Sequence, residues 1–137
     1  MADQAMLAML AEWADEEWGR CRRQHPDIAE NGYEVRLGGE MYEVAGASWN
    51  RRAPVVHRAI LLAALLEAIE ARGWSCTLAN GPGSCDATVV YREIICGYEN
   101  DWRDIFSTEA HAATALDALF PAYLEALRAE TNTDKGG

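Results

Sequence analysis

Cysteine, histidine and carboxylate side chains are where this chain could do chemistry, and their spacing argues against most of it. Cys76, Cys85 and Cys96 have eight and ten residues between them, and His111 comes later. Structural zinc is gripped by close pairs of the C-x2-4-C kind, each from a single turn. No such pair occurs here, and Cys21 with His25 supplies only two ligands, so no metal or other cofactor is expected. A Cys76–Cys85 bridge across a hairpin is open only in an oxidising setting. Nucleophilic catalysis fares no better. Gly46-Ala47-Ser48-Trp49-Asn50 lacks the fifth-position glycine of a nucleophile elbow. Gly81-Pro82-Gly83-Ser84-Cys85 is explained as a turn rather than a phosphate loop. His57 falls on a mostly apolar helix, and His111 falls near the start of the last helix with no partner in sequence. Scattered carboxylates cannot be assigned as acid and base without geometry. The chain is expected not to be an enzyme.

His25-Pro26-Asp27 is the sharpest short motif, and it follows a helix ending in Arg20, Arg22 and Arg23. Together with Met41-Tyr42-Glu43-Val44 and Arg51-Arg52, it resembles a J-domain over roughly residues 18 to 52. That resemblance implies a co-chaperone that stimulates an ATPase chaperone. The chain departs from the pattern in two ways. Glu12, Asp15, Glu16 and Glu17 make the preceding helix acidic. Gly32, Gly38 and Gly39 fall where a helix must follow, each at a cost of about 1 kcal/mol.

The formal net charge is −10, and the composition is half hydrophobic and a quarter charged. That is globular composition. A direct nucleic-acid binder needs a basic face to replace counterions on phosphate, so direct binding is not expected. The acidic balance suits a protein partner with a basic surface. The residues expected to meet that partner form an acidic, aromatic loop: Tyr98, Glu99, Asp101, Trp102 and Asp104. A tryptophan among carboxylates anchors in a partner while the charges steer it. Glu12, Asp15 and Glu16 extend the same field. A homodimer is a further possibility that the sequence leaves open.

The elements that must position these residues follow from periodicity. Leu7, Leu10, Ala14, Trp18 and Cys21, with Met6 and Trp13 beside them, predict a helix over 3–23 that ends before Pro26. Tyr33–Leu37 and Met41–Ala45 alternate around Gly38-Gly39 and predict a hairpin. A second helix is predicted from Pro54 to Arg72, stopped by Gly73 and apolar around much of its circumference. Trp74–Ala79 and Cys85–Glu93 predict a second hairpin about Asn80-Gly81-Pro82-Gly83. Gly97–Phe106 reads as a loop. Ser107 or Thr108 caps a last helix striped by Ala113, Leu116, Phe120, Tyr123, Leu124 and Leu127, with Pro121 kinking it or starting a new helix. The expectation is a single α+β domain over 1–130, ordered α-β-β-α-β-β-α, with an antiparallel four-stranded sheet covered by helices. Residues 131–137 are expected to be a disordered tail. Met1–Leu10 carries Asp3 and no early lysine or arginine, so no secretory peptide is expected. The longest apolar run, Ala59–Leu66, is too short for a membrane span. A cytoplasmic location is expected.

The stretch from Ala63 to Trp74, leading into a hairpin, and Ser107-Thr108-Glu109-Ala110-His111-Ala112-Ala113 after it, resemble small phage-encoded helix–sheet–helix sandwich proteins. The resemblance covers about half the chain; the first half departs from it. It implies a phage or prophage origin and an inhibitor of a bacterial nucleic-acid-handling defence protein, of the anti-CRISPR kind. An immunity protein or a secretion chaperone is the alternative, and a J-domain-like co-chaperone the second.

Overall fold

The computed structural model describes residues 2–23, 32–45, 56–94 and 102–136. Among these the order is α1 (Ala2–Glu16), β1 (Cys21–Arg23), β2 (Tyr33–Leu37), β3 (Glu40–Ala45), α2 (Arg58–Ala71), β4 (Ser75–Gly81), β5 (Ser84–Ile94), β6 (Trp102–Ala112) and α3 (Ala115–Gly136). The fold class is α+β. The predicted four-stranded sheet is not found: the strands form two separate antiparallel three-stranded sheets, β1-β2-β3 and β4-β5-β6. The chain divides into two compact units, Met1–Glu67 and Ala68–Gly137.

In the first unit, α1 buries Met6, Leu10, Trp13 and Ala14, a stripe at helical spacing. The helix ends seven residues before the predicted stop at Arg23. Gly19 disfavours continuation, and Cys21-Arg22-Arg23 instead pairs with Val35, Glu34 and Tyr33 of β2. An ion pair between the facing Arg22 and Glu34 reinforces that ladder. The β2–β3 hairpin forms where predicted. Gly38 and Gly39 take φ of 63° and 84°, the left-handed values that a tight hairpin turn needs at both corners. Tyr33, Val35, Val44 and Ala45 are buried on this sheet.

Helix α2 starts at Arg58, with His57 accepting from the Leu61 amide at 3.1 Å; Pro54 lies outside the described residues. Its buried stripe is Leu61, Ala64, Leu65, Ala68 and Ile69, whereas Leu66 is exposed. The burial therefore follows one face rather than most of the circumference. Its end is as predicted. Gly73 has φ of 74°, the Trp74 amide donates to Ile69 O and the Gly73 amide to Glu70 O, so the last carbonyls are satisfied.

In the second unit, β4 and β5 join through Pro82-Gly83, with Gly83 at φ 68°. The predicted loop and helix cap at 102–112 are instead a strand. Phe106, Thr108, Ala110 and Ala112 alternate with Ser107, Glu109 and His111, and β6 pairs along the whole of β5. Alanine-rich sequence favours a helix locally, but the ladder and the burial of Thr108 outweigh that preference. The Thr108 hydroxyl donates to Ala122 O of α3 at 2.7 Å. The cap of α3 is Thr114: its hydroxyl accepts from the Asp117 amide at 3.2 Å and donates to the Asp117 carboxylate. The predicted stripe holds from Leu116 to Leu127, while Ala113 is exposed before the helix. Pro121 lies inside a continuous helix that packs across β5 and β6. No described helix is long and apolar enough to cross a membrane.

Candidate functional site

Among the described residues, buried Trp13 donates to Glu17 at 2.8 Å, and two further tryptophans stand beside carboxylates where a partner or ligand could reach. The first is the turn after α1. The Glu17 amide donates to Trp13 O, and the Arg20 and Cys21 amides both donate to Glu17 O at 2.8 and 3.0 Å. Arg36 Nε donates to Gly19 O at 3.0 Å, and Arg20 pairs with Glu67 at 3.1 Å. Glu67 also accepts from the Gly38 amide at 2.8 Å. These bonds fasten the turn to the sheet and leave Trp18 52 % exposed at its tip. Asp15 and Glu16 are exposed just before it, and Glu12 is half-buried one turn earlier. Asp15 has only a loose partner, Arg23 at 3.9 Å. Sequence periodicity put Trp18 in the apolar stripe; Gly19 beside it is the signal that the helix had ended.

The second place is a cavity of about 310 Å³ in the second unit. Trp74, Tyr91, Ile105 and Phe106 form its apolar wall, and Arg72, Glu93 and Glu130 bring charge. A β-bulge opposite Tyr91 and Arg92 makes this wall possible. Phe106 faces Tyr91 and Asp104 faces Arg92, so Ile105 is the extra residue. In a regular strand neighbouring side chains point to opposite faces; the bulge turns both Ile105 and Phe106 to the cavity. Trp74 meets Phe106 edge-on at 4.8 Å and Tyr123 at 6.0 Å. The Arg72 guanidinium lies 4.8 Å from the Trp74 ring centre and 2.5 Å from a Glu130 carboxylate oxygen. The Tyr91 hydroxyl donates to Glu93 at 2.9 Å. That bond, with burial and the charges of Glu93 and Glu130, pushes the Tyr91 hydroxyl above its ordinary range.

The remaining predicted positions are not brought together. Tyr98, Glu99 and Asp101 lie outside the described residues, and so do His25, Pro26, Asp27, Ser48 and Cys96. Trp102 opens β6. Asp104 is not a loop residue: it pairs with Arg92 Nε across the sheet at 2.7 Å. Where the J-domain resemblance requires a helix, Tyr33–Leu37 and Glu40–Ala45 are strands. His111 does face a partner, Asp86, its cross-strand neighbour and hydrogen-bond partner on an exposed face.

Cys21, Cys76 and Cys85 are free thiols. Cys76 faces Val89, four residues along β5 from Cys85, so the two are separated by roughly 13 Å, beyond the reach of a disulfide. Burial pushes the Cys21 thiol well up, which makes it a packing residue rather than a nucleophile. Among the described residues, no three histidine, cysteine or acidic side chains are grouped to hold a metal ion.

No family model matches the chain, and neither the curated proteins nor the solved structures contain a significant match to it.

Proposed function

We propose that this protein acts by binding another protein through a basic surface on that partner, and that it thereby inhibits a bacterial nucleic-acid-handling protein. The observation that carries the reading is Trp18: a large apolar side chain, half exposed on a braced turn, next to Asp15 and Glu16. A pre-positioned tryptophan loses little freedom on binding, and buried tryptophans dominate interface energies. The carboxylates and the net charge of −10 raise the encounter rate with a cationic surface. Proteins that grip phosphate carry such surfaces, which gives the partner class.

The test is a pull-down from bacterial lysate at low and high salt, with the wild type, Trp18→Ala and the double variant Asp15→Lys, Glu16→Lys. The wild type is expected to capture a nucleic-acid-handling protein that is released as salt rises. Trp18→Ala is expected to weaken that capture by about 2 kcal/mol, roughly thirtyfold in Kd. Undiminished capture by both variants would sink the proposal. Recovery of a toxin or a secreted effector would replace it with the immunity or secretion-chaperone reading.

A further inference from the structure

We infer that the outer edge of β4 is the interface through which two copies of this chain associate, antiparallel, into a continuous six-stranded sheet. This inference stands apart from the basic-partner reading, because no residue of the Trp18 turn takes part in it.

The outer edge of a sheet presents unpaired N–H and C=O groups, and proteins protect such edges with charge, bulges, proline or brevity. Among the described residues the two sheets have four outer edges, on β1, β3, β4 and β6. Three of them are protected. Strand β1 is three residues long, and two of these are arginines. Strand β3 carries exposed Glu40 and Glu43, and a bulge where Tyr33 faces Ala45 but Glu34 faces Glu43. Strand β6 carries Arg103, Asp104 and Glu109 besides the bulge at Ile105. Strand β4 has none of these devices. Its seven residues pair with β5 in unbroken register, from Ser75 opposite Val90 to Gly81 opposite Ser84. It lies within Gly73–Cys85, the longest run without a charged side chain in a chain that is a quarter charged. No described backbone group pairs with its outer side.

The strand's own sequence selects a second copy as the occupant. Cys76 and Leu78 face Val89 and Ala87, both fully buried, so they lie on the face of the sheet that α3 covers. Helix α3 packs over β5 and β6 and hardly reaches β4, which leaves Cys76 and Leu78 half-buried. A two-fold axis at Thr77 sets Cys76 opposite the partner's Leu78 and Leu78 opposite the partner's Cys76, and so completes their burial. On the other face, where Ser75, Thr77 and Ala79 are exposed, Thr77 meets the partner's Thr77 and Ser75 meets the partner's Ala79. The edge is thus covered without burying a charge. At long range the two acidic chains repel each other, and salt screens that repulsion.

The experiment is sedimentation velocity of the whole chain over about 5 to 500 μM, at low and at high salt. So short an edge buries less than the roughly 1,200 Å² of a tight complex, so a reversible dimer with a Kd of roughly 50 μM is expected. It should tighten as salt rises, the opposite of the response expected for capture of a basic partner. Thr77→Lys and Thr77→Glu each set like charges against each other at the axis and should weaken the dimer roughly tenfold or more. An equimolar mixture of the two variants should restore it, since lysine then faces glutamate. Amide exchange of the wild type needs no variant: protection along β4 should rise with concentration, and that along β6 should not. Each of the following would overturn the inference: a monomer at every concentration, a dimer indifferent to both substitutions, a mixture of the variants that stays monomeric, or concentration-dependent protection at β6 rather than β4.

Discussion

The two tryptophan sites use the same residue types to opposite ends. Trp18 is 52 % exposed and Trp74 only 6 %. Trp74 meets Phe106, Tyr123 and the Arg72 guanidinium, so most of its surface already contributes to folding. Trp18 leaves half its surface in water, and that surface is available to a partner. The carboxylates differ in the same sense. Glu130 holds Arg72 at 2.5 Å, whereas Asp15 has Arg23 no closer than 3.9 Å. The lesson is that a tryptophan beside acids is not one kind of site. A braced, exposed ring suits a macromolecular surface, and an enclosed ring with a cavity beside it suits a small, shaped ligand.

The largest expected effect tests this contrast directly. Trp74→Ala removes a buried aromatic and is expected to cost roughly 3–5 kcal/mol of stability. Trp18→Ala is expected to stay within about 0.5 kcal/mol of the wild type while losing partner binding. Hydrogen exchange of the amides in each unit, read alongside urea unfolding, measures both. If Trp18→Ala proved as destabilising as Trp74→Ala, the ring would belong to the core and the anchor would be lost.

Much of the scaffold behind this comparison is legible in the sequence. Gly38-Gly39 fixes the β2–β3 hairpin, Gly73 ends α2, and the stripe from Leu116 to Leu127 identifies α3, because each signal is local. The two added strands are not local features. Three residues, Cys21–Arg23, carry no period of their own; β1 exists because β2 offers it a ladder. For β6, Ser107-Thr108-Glu109 reads as a helix cap and the alanines after it favour a helix, whereas the cap that α3 uses is Thr114 with Asp117. The period-two alternation from Phe106 to Ala112 was visible, but only the long β5 beside it makes that alternation decide. Of the expected site residues, Asp15 and Glu16 do flank an exposed tryptophan, although it is Trp18. The cavity is illegible in advance, since Arg72, Tyr91 and Glu130 are joined only by the packing of three elements and a bulge.

A smaller effect separates the two places by their supports. Glu67 accepts from both the Gly38 amide and Arg20, and so braces the Trp18 turn from α2. Glu67→Ala is expected to cost about 1 kcal/mol, since both bonds are part-exposed. It should also weaken partner capture, because the turn loses one of its fastenings. The Trp74 indole and the Ile105 and Phe106 amides should keep their chemical shifts. Shifts at those positions as large as those in the first unit would show that the two sites are not independently supported.

The smallest expected effect is a pH dependence that occurs in both units for nearly the same reason. Tyr42 donates to Glu40 in the first unit, and Tyr91 donates to Glu93 in the second. Each bond holds the phenol protonated, so each hydroxyl titrates above the ordinary tyrosine value of 10.0. A raised folded value gives stability that is fully present below that ordinary value and is lost as pH rises through the folded one. Tyr91→Phe should therefore flatten the loss of stability above pH 10. The units differ in one cause: Tyr91 also feels Glu130 of α3, whereas for Tyr42 the acid involved is Glu40 alone. Tyrosine ring-carbon NMR titrations resolve the two. Glu93→Gln should lower the Tyr91 midpoint most, Glu130→Gln should lower it slightly, and neither should move Tyr42. A Tyr91 midpoint indifferent to Glu130→Gln would mean that α3 does not hold its carboxylate at the cavity, and the site would then lack the acid that pairs with Arg72.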